Sequence, residues 1–167
     1  MRREVLKRIV RGLALGVLSV PMLLMAAGCY EKLNGGGWML SANGEDRATF
    51  GIHFEVVDPI DPTTAHVRGT YYDHGNGVRL KFIEVVDYAS GPGPEEGDCA
   101  QFEATYKSQA KRQPGSGTAS VTLCDSGEPG IVTDTLDISI LDGPYAGYKN
   151  TGLILGGNFQ GFQTEEQ

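Results

Sequence analysis

From residue 35 on, the chain predicts an all-β domain, a single β-sandwich or closed β-barrel of about eight short antiparallel strands. Three observations carry this reading. Several stretches alternate apolar and polar residues with period two, the signature of a strand with one buried face. No stretch beyond residue 28 sustains the 3.6-residue apolar period of a helix. Turn-forming clusters recur between the alternating stretches, and 24 of the 167 residues are glycine.

Residues 37–42 open the sheet. The clearest strand is Arg47 to Val57, with Phe50, Ile52, Phe54 and Val56 on one face and Thr49, His53 and Glu55 on the other. Asp58-Pro59-Ile60-Asp61-Pro62 ends it, because proline cannot donate to a ladder. Thr64 to Tyr72 resumes with Ala65, Val67 and Tyr71 inward. Asp73-His74-Gly75-Asn76-Gly77 holds an Asn-Gly hairpin signal. Val78 to Tyr88 returns, with Val78, Leu80 and Phe82 alternating against Arg79 and Lys81. After a Pro-Gly loop over 90–97 come Cys99 to Lys107 and Thr118 to Cys124. A hairpin centred near Lys111 and Arg112 sets Cys99 opposite Cys124. Glu128-Pro129-Gly130 reads as a turn. Thr135 to Leu141 is a further strand, with Leu136, Ile138 and Ile140 inward and Asp137 outward. Gly152 to Leu155 and Asn158 to Phe162 supply the last strand material.

The first 28 residues read differently. Five basic residues lie within Met1 to Arg11, an apolar run from Leu13 to Met25 follows, and Ala26-Ala27-Gly28 precedes Cys29. This is the plan of an export signal. A membrane span needs roughly 20 apolar residues, whereas the uncharged stretch Gly12 to Gly28 has 17, interrupted by Ser19 and Pro21. With a cysteine after the small residues, the segment resembles a bacterial lipoprotein signal, which implies cleavage before Cys29 and lipidation of its thiol. Arg2-Arg3 also resembles a twin-arginine export motif, so the export route stays open. The expected organisation is a signal peptide over 1–28, a lipidated tether over 29–34, a β-rich domain over 35–163 and a polar tail over 164–167. The membrane is the expected partner, held through a lipid on Cys29. With Tyr30 rather than aspartate after it, the lipoprotein resemblance implies the outer membrane in a cell that has two.

The signal takes five of the fourteen basic residues and one of the twenty-one acidic ones, leaving nine and twenty, a net charge of −11. Such a field repels phosphates, and no basic stripe or aromatic–basic interleaving runs along the chain, so nucleic acid is not an expected partner. Cys99 and Cys124, the two cysteines besides Cys29, read as one disulfide in an exported domain.

Gly35-Gly36-Gly37-Trp38, Ala48-Thr49-Phe50-Gly51, Tyr72-Asp73-His74, Asp125-Ser126-Gly127-Glu128-Pro129-Gly130, Asp134-Thr135-Leu136 and Gly156-Gly157-Asn158-Phe159-Gln160 occur in this order. In these motifs the chain resembles the post-COAP domain of bacterial exported and surface proteins. The resemblance implies a β-rich extracytoplasmic module and transfers no catalytic residue. Ser126, where the family usually has asparagine, and the cysteine pair depart from its pattern.

Chemistry-bearing residues are few. His53 and His66 lie on outward faces; pairing about residues 58–62 places His66 opposite Glu55 and His53 opposite Arg68, a solvated arrangement rather than a zinc site. His74, beside Asp73, reads as a turn residue. Asp125, Glu128 and Asp134 are calcium candidates, with Asp125 accepting from Gly127 N–H in an Asx turn as the simpler reading. Glu95, Glu96 and Asp98 lie in a loop that sets no fixed carboxylate separation. Trp38, Tyr71 and Tyr72 are aromatic platform candidates, Trp38 reading as core; Tyr145 and Tyr148, in a Gly-Pro loop, are the expected surface pair for a ligand. No catalytic residue, cofactor or metal is expected. The reading is a non-enzymatic, lipid-anchored envelope module that is structural or binds an envelope protein or glycan. A carbohydrate- or calcium-dependent adhesion module is the alternative, and a small hydrolase the third.

Overall fold

A computed structural model describes residues 31–58, 61–89, 98–127 and 133–163. The signal segment, Cys29, Glu95, Glu96, the turn at Glu128 and the tail lie outside these residues. The strands are β1 (Glu31–Leu40), β2 (Arg47–Val56), β3 (Ala65–Asp73), β4 (Val78–Ala89), β5 (Asp98–Ser108), β6 (Ser116–Asp125), β7 (Thr135–Ile140), β8 (Lys149–Leu153) and β9 (Gly156–Gln163). A single 3₁₀ turn, Pro62–Thr64, precedes β3 among the described residues.

The fold is all-β, as expected. All nine strands join one antiparallel sheet in the order β8-β7-β6-β5-β4-β3-β2-β1-β9. Eight of them form a meander in which each strand pairs with the next in sequence, so the ladder does not divide into two stacked sheets. The sheet curls into a half-barrel. Its concave side is packed by the inward positions of the alternating strands, including Ile52, Phe54, Leu80, Phe102, Leu123, Ile138 and Phe159, each at most 2% exposed. The curl brings distant strands into contact: Phe54 of β2 stacks on Phe102 of β5 at 4.5 Å between centroids.

β1 begins at Glu31, inside the stretch expected to be a tether, and extends through Gly35, Gly36 and Gly37. Glycine makes this pairing feasible. Gly157 of β9 has φ +105°, and a Cβ there would stand 2.0 Å from the Gly36 carbonyl oxygen. Without side chains, β1 and β9 approach closely, and β9 completes the order beyond β1.

β8 and β9 occupy opposite ends of the strand order yet follow each other in sequence through Ile154 and Leu155. Leu155 N donates to Trp38 O at 2.9 Å and Ile154 N to Asp134 O at 2.9 Å. Farther along, Phe159 N donates to Asp134 Oδ2 and Gly161 N to Asp125 Oδ2, both at 2.7 Å. The two aspartates therefore take backbone donors on the side of β9 away from β1, bridging the seam.

Candidate functional site

The outer face of β1 to β4 holds the densest set of chemically useful side chains. Register places Trp38, Thr49, Tyr72 and Arg79 in one cross-strand row. The guanidinium of Arg47 lies over the Trp38 ring at 4.2 Å, and that of Arg79 over the Tyr72 ring at 4.0 Å. Arg79 also donates to Tyr72 Oη at 2.5 Å. His74 lies against Tyr72, ring centroids 3.8 Å apart and planes tilted by 38°, and its Nε2 meets Thr49 Oγ1 at 3.1 Å. A guanidinium held against a ring keeps a fixed position, and its fork of N–H donors matches planar anions.

Below that row runs a second one, Gly36, Gly51 and Thr70, ending on Lys81. Two bare glycines make it a shallow trough. A third row, Asn34, His53 and Arg68, forms the far wall. The walls are four residues apart along the strand, about 13 Å at the usual strand rise. Burial first, and then the charges of Lys32 and Arg68, lower the His53 ring below its ordinary value. At neutral pH it is uncharged, and its 3.2 Å contact with Glu55 is a hydrogen bond.

The end of the sheet near the β1–β2 and β3–β4 turns holds a buried polar network. Asp73 is fully buried. Its Oδ1 accepts from Ser41 Oγ at 2.6 Å and Asn76 N at 2.9 Å. Its Oδ2 accepts from Tyr148 Oη at 2.5 Å, and from Ala42 N and Asn76 Nδ2 at 3.1 Å each. Tyr148 Oη meets Tyr71 Oη at 2.7 Å, and Asn150 Nδ2 donates to Tyr71 Oη at 2.7 Å. Burial alone raises the Asp73 carboxyl, but the bonds from Ser41, Tyr148, Asn76 and Ala42 outweigh it and hold it at about 2. Burial pushes Tyr71 up to about 12 and raises Tyr148 further. The donors converge on one carboxylate and tie three turns together, which is the arrangement of a structural clamp.

Between the end of β1 and β8 lies a half-open cleft of about 390 Å³, lined by Met39, Leu40, Ser41, Asn150, Leu153 and Leu155 among others. Its polar donors are already used: Ser41 Oγ on Asp73, and Asn150 Nδ2 on Leu40 O and Tyr71 Oη.

The residues singled out in the sequence fall as follows. Tyr145, expected at the surface, is 6% exposed and bonds Ser108 Oγ at 3.0 Å. Tyr148 is half-buried against the core with its hydroxyl on Asp73. The loop over 141–148 folds across the end of the sheet, so this pair offers no exposed platform, and Tyr71 is core as well. Trp38 and Tyr72 instead face outward on the sheet, half-buried. Cys99 and Cys124 form the expected disulfide across β5 and β6. His66 stands opposite Glu55 and His53 opposite Arg68, in the expected register. Asp125 Oδ1 accepts from Gly127 N at 3.0 Å, the Asx turn, while its other oxygen and Asp134 serve the seam. Among the described residues no group of three or more His, Cys, Asp or Glu side chains is placed to hold a metal ion.

Sequence reasoning named Trp38 and Tyr72 as platform candidates but missed the cations stacked on them. The members of this face come from four strands and never adjoin in sequence, so a search for interleaving along the chain passes over them. The one usable signal was alternation: Arg79 and Lys81 opposite an inward Val78, Leu80 and Phe82 already marked one basic outer edge.

No protein-family model, curated protein or solved structure matches the chain.

Proposed function

We propose that this protein is a non-enzymatic binding module of the cell envelope, exported and held to a membrane by a lipid on Cys29, that engages its partner through the outer face of β1 to β4. The carrying observation is the paired stacks Arg47 on Trp38 and Arg79 on Tyr72, set beside a glycine-floored trough. Ordered guanidiniums at an exposed surface are a recognition feature, whereas the buried Asp73 carboxylate is consumed by internal donors. The seam bonds of Asp125 and Asp134 support closure of the curled sheet into a barrel that acts as a rigid support for this face. The signal-like segment over 1–28 and the resemblance to the post-COAP domain support the extracytoplasmic placement.

Trp38 is the chain's only tryptophan and sits in the face, so its emission reports on binding directly. Native protein is expected to carry added acyl mass at Cys29, and isolated envelope material to shift Trp38 emission saturably. Unlipidated native protein retaining residues 1–28, or emission indifferent to envelope material, refutes the reading.

A further inference from the structure

We infer that the outer face of β1 to β4 binds an acidic polysaccharide, a chain bearing carboxylate or sulfate groups, laid across the strands along the trough. This deepens the reading of that face as the binding surface and rests on it.

Charge segregation is the first argument. Of the nine basic residues after position 28, six stand on the outer side of β1 to β5: Lys32, Arg47, Arg68, Arg79, Lys81 and Lys107. The same side of β1 to β5 carries four acids, Glu55, Glu84, Asp87 and Glu103, but only Glu55, the cross-strand partner of Lys32, lies on β1 to β3. Among the described residues none of the six has a carboxylate within ion-pairing distance. Lys81 and Lys107 are direct cross-strand partners. Like charges so placed destabilise a sheet, and a counter-charged ligand relieves that repulsion. Within a net-acidic chain, the outer side of β1 to β3 and the start of β4 is thus a local cationic patch, complementary to a polyanion.

The trough is the second argument. A Cβ at Gly51 would meet nothing within 4 Å, and the residue needs no left-handed backbone. Packing therefore does not require glycine there, and its bareness keeps the trough open. Cations border it on both sides, Arg47 and Arg79 near one wall and Arg68 on the other, as a linear ligand with repeated anionic groups would use.

Other polyanions fit less well. Single-stranded nucleic acid binds by stacking bases on open aromatic rings, and here a guanidinium lies over each ring. An acidic peptide that adds as a strand needs an unpaired edge, but β2 and β3 are paired on both sides. The cations extend along the strands from Lys32 to Arg47 over about 26 Å at the usual rise, so a membrane meeting one end of the strands would not reach them together.

The test is titration calorimetry of the full chain in detergent with dextran sulfate, polygalacturonate and neutral dextran, with Trp38 emission read in parallel. At least one of the two acidic polymers is expected to bind, weakening with salt, and neutral dextran is expected to give no response. Arg47→Gln with Arg79→Gln is expected to weaken binding at least about tenfold, two charge-assisted contacts being lost. Gly51→Leu, whose Cβ enters open space, is expected to weaken it with no loss of melting temperature, and Lys149→Gln to leave it unchanged. Equal response to neutral dextran, or none to either polyanion, overturns the proposal. Tighter binding of a single-stranded oligonucleotide or of anionic vesicles overturns the glycan but leaves the face as a binding surface. Full affinity in both the double arginine variant and Gly51→Leu overturns the face as well.

Discussion

Replacing Asp73 by asparagine removes one charge from the buried clamp and keeps its shape. Five donors point at the two carboxylate oxygens. An asparagine amide turns donor against donor at one of those positions. The net worth of the charge follows from its titration. The carboxyl is held at about 2 against an ordinary 3.8, and at about 1.4 kcal/mol per pH unit this corresponds to roughly 2 kcal/mol at neutral pH. One stranded donor adds about 1 kcal/mol or more. Asp73→Asn is therefore expected to lower the unfolding free energy by about 2–4 kcal/mol at pH 7 in urea denaturation followed by circular dichroism. The sign with pH also follows. The folded carboxyl titrates below the unfolded one, so its contribution is whole above about pH 5 and is lost as pH falls toward 2. The stability gap between parent and variant should narrow over that window. A gap under about 0.5 kcal/mol at pH 7, within the range of ordinary surface substitutions, or one that does not change with acid, would refute the clamp.

Three further outcomes are expected. Replacing Cys99 and Cys124 by alanine opens a 25-residue separation, and denaturation should show a loss of about 3–4 kcal/mol, the loop-closure estimate. Phe54→Ala removes a fully buried ring stacked on Phe102 and should cost about 3–5 kcal/mol in the same assay, with a cavity left between β2 and β5. Asp137 carries a buried oxygen without a hydrogen-bond partner, and burial raises its carboxyl despite a bond with Thr151. A raised folded value means the charged form opposes folding, so Asp137→Asn should stabilise by up to about 1 kcal/mol at pH 7. That gain should shrink as pH falls and the parent's carboxyl becomes protonated.

What could be read from the sequence follows from where the information is local. Phe50, Ile52, Phe54 and Val56 announce β2 because one buried face imposes period two. Short turns then set register, so Glu55 opposite His66 and Cys99 opposite Cys124 could be read from the chain, since a slip of one residue would invert every side chain. The first half of β1 could not. Its Asn-Gly-Gly-Gly stretch has no alternation, and it is a strand only because β9, over a hundred residues later, lies against it. Tyr145 and Tyr148 sit among turn residues, and nothing local reveals that their loop covers the end of the core. The cation-bearing face is non-local for the same reason: Trp38 and Arg47 are nine positions apart, Tyr72 and Arg79 seven, and only the curled sheet assembles them.

Binding by the outer face of β1 to β4 rather than by another surface is the most direct question. Backbone amide shifts, recorded by NMR on labelled protein as an acidic polysaccharide is added, locate that surface residue by residue. Changes should concentrate at Gly36, Arg47, Gly51, Arg68, Tyr72 and Lys81, with the interior positions of β6 and β7 unmoved. Changes centred instead on Ser41 to Gly44 and Asn150 to Leu155, around the cleft between β1 and β8, would contradict it.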